Sequence, residues 1–277
     1  MTQPIITLLT DFGARDPSAA ILHGVIVSLA PDARIIDISH EVRKFAIRDG
    51  ALLLWCALPY LPLGFHVAVV DPGVGTARRP IAIAAGRGDV LIGPDNGLLV
   101  AAVDRLGGIV GVRLLEAPEY RLPKVSSSFH GRDIFAPAAA HLASGVTFER
   151  LGPPLDPASL VGSPIVEPVV ERGLLRSASI YVDTFGNVKL AGLRQDLEAA
   201  LGPLVSGDPL QLGLEATDGA SSSSLTITWR STFGEVPPGE LLLYEDSYGR
   251  LCLARNTGNA AQSLGLVEDR PMTIRRA

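Results

Sequence analysis

The sequence predicts two domains: an α/β N-terminal domain with a mostly parallel sheet over residues 1–165, then a smaller all-β domain, barrel-like or a sandwich, over 166–277. Three observations carry this. Short apolar runs alternate with stretches of helical period as far as Ala143, the pattern of a sheet covered by helices on both faces. Pro153, Pro154, Pro157, Pro164 and Pro168 then mark a linker. Beyond them come short runs of strand character separated by turn signals.

In the first domain, Pro4–Thr10 reads as a buried strand that delivers Asp11 at its C-terminal end. Ser18–Leu29 is helical in period, with Pro17 near its start. Arg34–Ile38 is a strand, Ala46–Leu58 a helix, and Phe65–Val70 a strand ending at Asp71. Ile81–Ala85 and Val90–Ile92 are further short strands, and Leu98–Arg105 and Asp133–Ala143 are helices. In the second domain the strand runs are Ala178–Val182, Leu210–Leu214, Leu225–Trp229, Leu241–Tyr244 and Leu251–Ala254. Phe185-Gly186-Asn187, Asp218-Gly219, Pro237-Pro238-Gly239 and Tyr248-Gly249 separate them. Only Arg194–Ala200 and Ala260–Leu264 look helical, and Ser221–Ser224 reads as a loop tip.

Composition narrows the function classes. With 47% hydrophobic and 19% charged residues over 277 positions, the chain can bury a core and is not intrinsically disordered. A net charge of −5 argues against a binder of nucleic acid or anionic membrane, which needs a basic face. The acid excess is uneven: 15 acidic against 14 basic residues in 1–165, but 14 against 10 in 166–277. Two cysteines, Cys56 and Cys252, cannot build a disulfide framework or a Cys-based zinc site, and no metal-ligand set is expected. Met1–Thr10 lacks the basic start of a signal peptide. Ala51–Val70 is free of Asp, Glu, Lys and Arg over the length of a membrane span, but Pro59, Pro62, Gly64 and His66 break it. The expectation is a cytoplasmic protein with no membrane contact.

Familiar catalytic signatures are absent: there is no G-x-x-x-x-G-K-[ST], H-E-x-x-H, C-x-x-C or G-x-S-x-G. Four polar clusters remain. Thr10-Asp11-Phe12-Gly13 puts a carboxylate at a strand end, where open α/β sheets place ligands. Nearby Asp16 reads as a cap for the following helix. Val70 to Arg79 is a strand end running into a Pro/Gly loop that lifts two arginines, either a ligand loop or a tight connection. Ser126 to Asp133 precedes a helix, whose free N–H groups favour anions. His130 there could exchange protons or orient water, while Ser128 or Asp133 could simply cap the helix. His66 and His141, in a buried strand and on a helix, read as structural, and His23 and His40 have weak cases. The fourth cluster is Asp183-Thr-Phe185-Gly186-Asn187, Ser231-Thr-Phe233-Gly234 and Arg255-Asn256. Its carboxylate, amide and aromatic ring suit a nucleoside, although Phe185-Gly186-Asn187 also reads as a hairpin turn.

Taken in order, Leu9-Thr-Asp-Phe-Gly13, Val70-Asp-Pro-Gly-Val-Gly-Thr76, Gly93-Pro-Asp-Asn-Gly97, Phe129-His-Gly-Arg-Asp133, Phe185-Gly-Asn187 and Arg255-Asn256 resemble one family across nearly the whole chain. It is the S-adenosyl-L-methionine (SAM) hydroxide adenosyltransferases, or SAM hydrolases, relatives of SAM-dependent chlorinases and fluorinases. The resemblance implies an α/β domain followed by a β-barrel, and a homotrimer with SAM bound between subunits. It implies that Asp71, Arg78 and His130 hold the nucleophilic water. Halogenating relatives carry Tyr at the position of Asp71, and fluorinases carry Ser at that of Gly131. By the same comparison Asp11, Phe129, Gly131, Asp183, Asn187, Phe233, Ser247 and Arg255 bind the substrate. Lys189 stands where fluorinases carry Trp. No cofactor is implied, since SAM is itself the substrate. The alternatives are a chlorinase-like halogenase, a non-catalytic nucleoside-binding trimer, and a metal-dependent hydrolase using Asp11, Asp71, His130 and Asp133.

Overall fold

The computed structural model describes residues 3–216 and 222–277. The chain divides into two compact units, Met1–Pro164 and Ile165–Ala277. In the first, six strands form one sheet: β1 (Ile5–Thr10), β2 (Arg34–Ser39), β3 (Phe65–Val69), β4 (Pro80–Ala85), β5 (Val90–Pro94) and β6 (Ile109–Leu114), in the order β2-β1-β3-β5-β4-β6. Four α-helices accompany it: α1 (Ser18–Leu29), α2 (Ile47–Ala57), α3 (Val100–Asp104) and α4 (Ala136–Ala143).

The sheet is mixed, which corrects the expectation of a mostly parallel one. β2, β1, β3 and β5 run parallel, whereas β4 is antiparallel to both β5 and β6. The reason is loop length. Gly86 to Asp89 closes a tight hairpin between β4 and β5, with the Ala85 N–H donating to the Asp89 carbonyl at 2.8 Å. Four residues cannot carry the crossover that a parallel neighbour requires.

Strand alternation sorts the side chains. Ile6, Leu8, Val67 and Val69 join Leu22 and Ile26 of α1, Ala138 and Ala139 of α4, and Phe135 in one core. Leu9 and Val70 lie under α2, which approaches closely because residue 50 is glycine. A Cβ there would stand 2.8 Å from Leu98 and 3.1 Å from Val70. Asp16 does not cap α1: the residue before the helix is Pro17, and no side chain bonds to its free N–H groups. The uncharged stretch from Ala51 to Val70 is spent on α2, a single 3-10 turn at Leu58–Tyr60 containing Pro59, and β3. Among the described residues no helix is long and apolar enough to cross a membrane.

In the second unit, β8 (Leu174–Val182), β9 (Val188–Leu193), β10 (Pro209–Leu214), β11 (Ser223–Trp229), β12 (Leu241–Glu245), β13 (Arg250–Arg255) and β14 (Pro271–Arg276) close on themselves through a β14–β8 pairing. The second domain is therefore a seven-stranded barrel and not a sandwich. A short β7 (Val169–Glu171) adds to β8. Two short helices, α5 (Arg194–Leu201) and α6 (Ala260–Leu264), complete the unit, and Leu197 of α5 joins the barrel core of Leu190, Leu212, Leu243, Leu253 and Ile274. The signals at Asp218-Gly219 and Ser221 lie outside the described residues, while Ser223 and Ser224 already belong to β11.

His66 is structural. Its side chain and that of Asp89 are wholly buried and 2.9 Å apart, and its Nδ1 lies 2.9 Å from the Thr7 hydroxyl. Burial alone would raise the Asp89 carboxyl, but hydrogen bonds from His66, Arg87 and the Gly64 N–H outweigh it and hold the group well below the usual carboxylate range. Asp89→Asn should destabilise the protein by about 3 kcal/mol, read by denaturant unfolding, because it leaves buried partners of the charge uncompensated. In the wild type this contribution is present above about pH 4, the unfolded carboxylate value, and declines as pH falls toward the depressed folded one.

Candidate active site

β1 and β3 are parallel neighbours with Thr10 opposite Val69, so both chains leave the sheet at the same edge. Asp11 follows β1 directly and Asp71 follows β3 by two residues. From Asp71 the chain makes two successive turns, Val74 N–H to the Asp71 carbonyl and Thr76 N–H to that of Gly73, both at 3.2 Å. Gly75 then passes against the backbone of Ser127. Its φ is +75°, and a Cβ would stand 2.2 Å from the Ser127 carbonyl oxygen. Only glycine permits that approach, which brings Arg78 to His130.

Arg78 is the centre of the cluster. Its Nε donates to Asp71 Oδ1 at 3.1 Å, its Nη2 donates to Asp71 Oδ2, and Nη2 also donates to His130 Nδ1 at 3.0 Å. The two charged side chains are only 7% and 5% exposed, and the guanidinium lies 5.4 Å from the Phe135 ring centre. Arg78 Nη1 is buried and has no hydrogen-bond partner among the described residues. His130 precedes a wide turn over Gly131–Phe135, in which the Ala136 N–H reaches back to the Gly131 carbonyl. Such turns inside helices recur at functional sites. Asp133 caps nothing: its carboxylate takes Arg132 and the Ser126 N–H.

Burial lowers the His130 pKa below the ordinary imidazole value, and the Arg78 charge lowers it further. The ring is neutral at pH 7. Because Arg78 donates to Nδ1, that nitrogen is the acceptor and Nε2 carries the proton.

Asp11, Asp71, Phe129, His130 and Gly131 line one cleft of about 380 Å³. Phe12 and Phe129 meet edge to face there at 5.6 Å. Asp11 is 7% exposed, and its Oδ2 accepts the Phe45 N–H at 2.9 Å. The motifs do not single out Lys44 or Phe45, yet both line this cleft. Lys44 Nζ donates to the Asp11 carbonyl, and Phe45, 70% exposed, holds a positive φ of 66°. That conformation is costly for a residue with a large side chain.

Asp183, Asn187, Phe233, Ser247 and Arg255 line a second cleft, of about 640 Å³, in the barrel unit. Asp183 Oδ1 accepts the N–H groups of Phe185 and Asn187, and its Oδ2 accepts from Asn187 Nδ2, all at 2.9 Å. The hairpin reading of this segment is therefore correct, and it fixes the Asn187 amide in the cleft. Phe233 stacks at a tilt on Tyr244, 4.9 Å between ring centres. The Arg255 guanidinium is tied to Ser263 and the Gly239 carbonyl. Lys189, also in the lining, forms a buried ion pair with Asp246 and sits 4.9 Å from the Tyr248 ring centre. One sequence signal could have flagged these cations: among 24 basic residues only three are lysines, and Lys44 and Lys189 each line a cleft.

An α/β unit with an Asp–Arg–His cluster at its strand ends, followed by a closed barrel with an amide- and aromatic-lined mouth, defines the class of protein. The chain belongs to the SAM hydroxide adenosyltransferase family, whose N-terminal domain matches residues 6–152 and whose C-terminal domain matches 178–273. It is 43% identical to an (R)-S-adenosyl-L-methionine hydrolase from Salinispora tropica, over 95% of this chain and 94% of that one. A hydrolase of the same name from Thermus thermophilus is 38% identical, over 97% and 98%. Fluorinases are more distant, at 28% for one from Actinoplanes sp., over 99% of this chain and 98% of that one. The fold matches the crystal structure of an uncharacterized conserved protein from Thermotoga maritima with a TM-score of 0.89 and 34% identity, covering 98% and 100% of the two chains.

The geometry makes a testable statement about protonation. Nitrogen-15 NMR should find His130 neutral at pH 7 with its proton on Nε2. Arg78→Met should move its pKa upward, toward the ordinary imidazole value, by removing the neighbouring positive charge.

Proposed function

We propose that this protein hydrolyses S-adenosyl-L-methionine to adenosine and L-methionine by attack of water at C5′. The observation that carries the reading is the contiguous Asp71–Arg78–His130 cluster, of which Asp71 and His130 line the first cleft, in a chain of this family.

The sulfonium leaving group needs little help. As the C5′–S bond breaks, its electron pair goes to sulfur and methionine departs as a neutral thioether. No general acid, metal or cofactor is required for that step. The nucleophile is what must be arranged. Arg78 Nη1, left without a protein partner, has hydrogens to offer a water oxygen. Neutral His130 donates from Nε2, and the Asp71 carboxylate accepts a proton as the new C–O bond forms. Asp71 also decides between nucleophiles: a carboxylate beside the attacking position repels halide but assists water. That favours hydrolysis over halogenation.

In the same reading, Asp11, Phe129 and Gly131 hold the substrate from the first cleft, and Asp183, Asn187, Phe233, Ser247 and Arg255 hold it from the second. Fixing the ribose sets the line of attack, the positional part of the rate gain. The protein acts as a homotrimer, each site pairing the first cleft of one subunit with the second cleft of a neighbour.

Incubation with SAM should yield adenosine and methionine, and in ¹⁸O-water the label should appear at the adenosine 5′-hydroxyl. Appearance of 5′-chloro-5′-deoxyadenosine with added chloride would instead establish a halogenase. Asp71→Asn should lower kcat by about a hundredfold or more without abolishing ligand binding. If both the wild type and Asp71→Asn bind adenosine and neither turns over SAM, the protein is a binding module. Activity should fall with acidification only as His130 protonates, below the ordinary imidazole range, because an imidazolium cannot accept the Arg78 hydrogen bond.

Subunit sharing has its own test. Asp71→Asn and Asn187→Ala chains, each impaired alone, should regain part of the activity when unfolded and refolded together. No recovery from a verified mixed oligomer would mean that each chain completes its own site.

A further inference from the structure

We propose that His23, Asp37 and His40 bind a divalent first-row transition-metal ion, of which Zn²⁺ is the apt probe, at a site separate from the reaction cleft. None of the three lines either cleft. Among the described residues they are the one group of histidine, cysteine and carboxylate side chains whose ligand atoms converge, all within 4.8 Å of one another.

The geometry is that of a ligand set. His23 Nε2 lies 2.8 Å and His40 Nε2 3.1 Å from the same oxygen, Asp37 Oδ1. Zinc takes imidazole nitrogen and carboxylate oxygen at about 2.0–2.2 Å, which places tetrahedral ligands about 3.4 Å apart, the same order of separation. Two imidazoles and one carboxylate leave a fourth position for water.

A second observation points the same way. His40 Nε2 is buried and makes no hydrogen bond among the described residues, although Asp37 Oδ1 is 3.1 Å away. The other ring nitrogen is engaged: His40 Nδ1 is 2.8 Å from the Thr10 hydroxyl, which also accepts the Phe12 N–H at 3.2 Å. In the tautomer with its proton on Nδ1, toward Thr10, His40 offers the Nε2 lone pair on the side of Asp37 Oδ1, where an ion would sit between them. A hydrogen bond from the far ring nitrogen is also the usual support of a metal-bound imidazole. His23 and Asp37 are 36% and 43% exposed at the side chain, so an ion has a path in from solvent and room for water ligands.

The ion would act as a clasp and not as a catalyst. It would tie α1, through His23, to Asp37 on β2 and to His40 beyond its end. That end supports the loop after Asp11: the Gly13 N–H donates to the His40 carbonyl at 2.6 Å, and the Ala14 N–H to Glu41 Oε1 at 2.7 Å. The clasp would steady Asp11 from behind, leaving the proposed chemistry of the Asp71–Arg78–His130 cluster unchanged.

The test uses the untagged full-length protein, stripped with chelator, and measures binding by calorimetry with Zn²⁺ and by the visible absorption of added Co²⁺. The expected result is one equivalent of Zn²⁺ per chain at micromolar affinity or better, a Co²⁺ spectrum of low-coordinate type, and a Zn²⁺-dependent rise in Tm. His23→Ala, a change at a part-exposed side chain, and Asp37→Asn should each weaken Zn²⁺ binding about tenfold or more and remove the Tm rise. Failure of the folded wild type to bind Zn²⁺ at that stoichiometry, or unchanged binding by both folded variants, overturns the proposal.

Discussion

A guanidinium taken almost out of water must find its compensation in the protein, and Arg78 sets that demand for the whole N-terminal cleft. Asp71 neutralises it through two hydrogen bonds, and His130 serves it as a neutral acceptor. Those roles constrain the backbone in turn. The loop from Asp71 must double back in two turns, Gly75 must slide against Ser127, and the chain after His130 must open into a wide turn before α4 begins. The histidine's low pKa is a consequence of the same constraint: burial and a fixed positive neighbour both oppose a second charge.

The barrel unit solves a different problem with a repeated device. Asp183 and Asp246 each fold a carboxylate back onto the N–H groups of the next few residues, closing turns that lie in one cleft. The carboxylates stiffen the turns, and the turns hold the Asn187 amide in the lining of that cleft. Asp246 also pairs with buried Lys189. Part of the acid excess in residues 166–277 is thus structural, spent on loop geometry before any ligand arrives.

Which parts were legible in the sequence follows from how local their causes are. Strands made largely of apolar residues, such as Phe65–Val69, stand out. β6, β9 and β14 do not, because Gly111 and Arg113, Lys189 and Gly192, and the terminal arginines break the alternation. β9 and β14 are held extended by pairing on both edges, β9 with β13 and β8 and β14 with β10 and β8, and β6 by its pairing with β4. In the site, Asp11, Asp71 and His130 were legible because strand ends and Gly-rich loops are marked locally. Lys44 and Phe45 were not. They matter because the segment after β2 folds back over Asp11, a contact 33 and 34 residues away in sequence. Asp16 failed as a cap for a related reason: cap chemistry names a residue type, but the backbone at Pro17 decides whether its side chain is used.

By itself the sequence determined the two-domain division, the order of most elements, the family, and the residues placed at the ends of β1 and β3. Each of these rests on local pattern: hydrophobic period, turn chemistry, and polar groups following apolar runs. Only the tertiary structure decided that the sheet is mixed, that the barrel closes through β14 and β8, and that Arg78 joins Asp71 to His130. It alone brought His23, Asp37 and His40 together. Strand direction, closure and side-chain convergence are set by which distant segments share one edge or one buried charge, and no periodicity along the chain encodes that pairing.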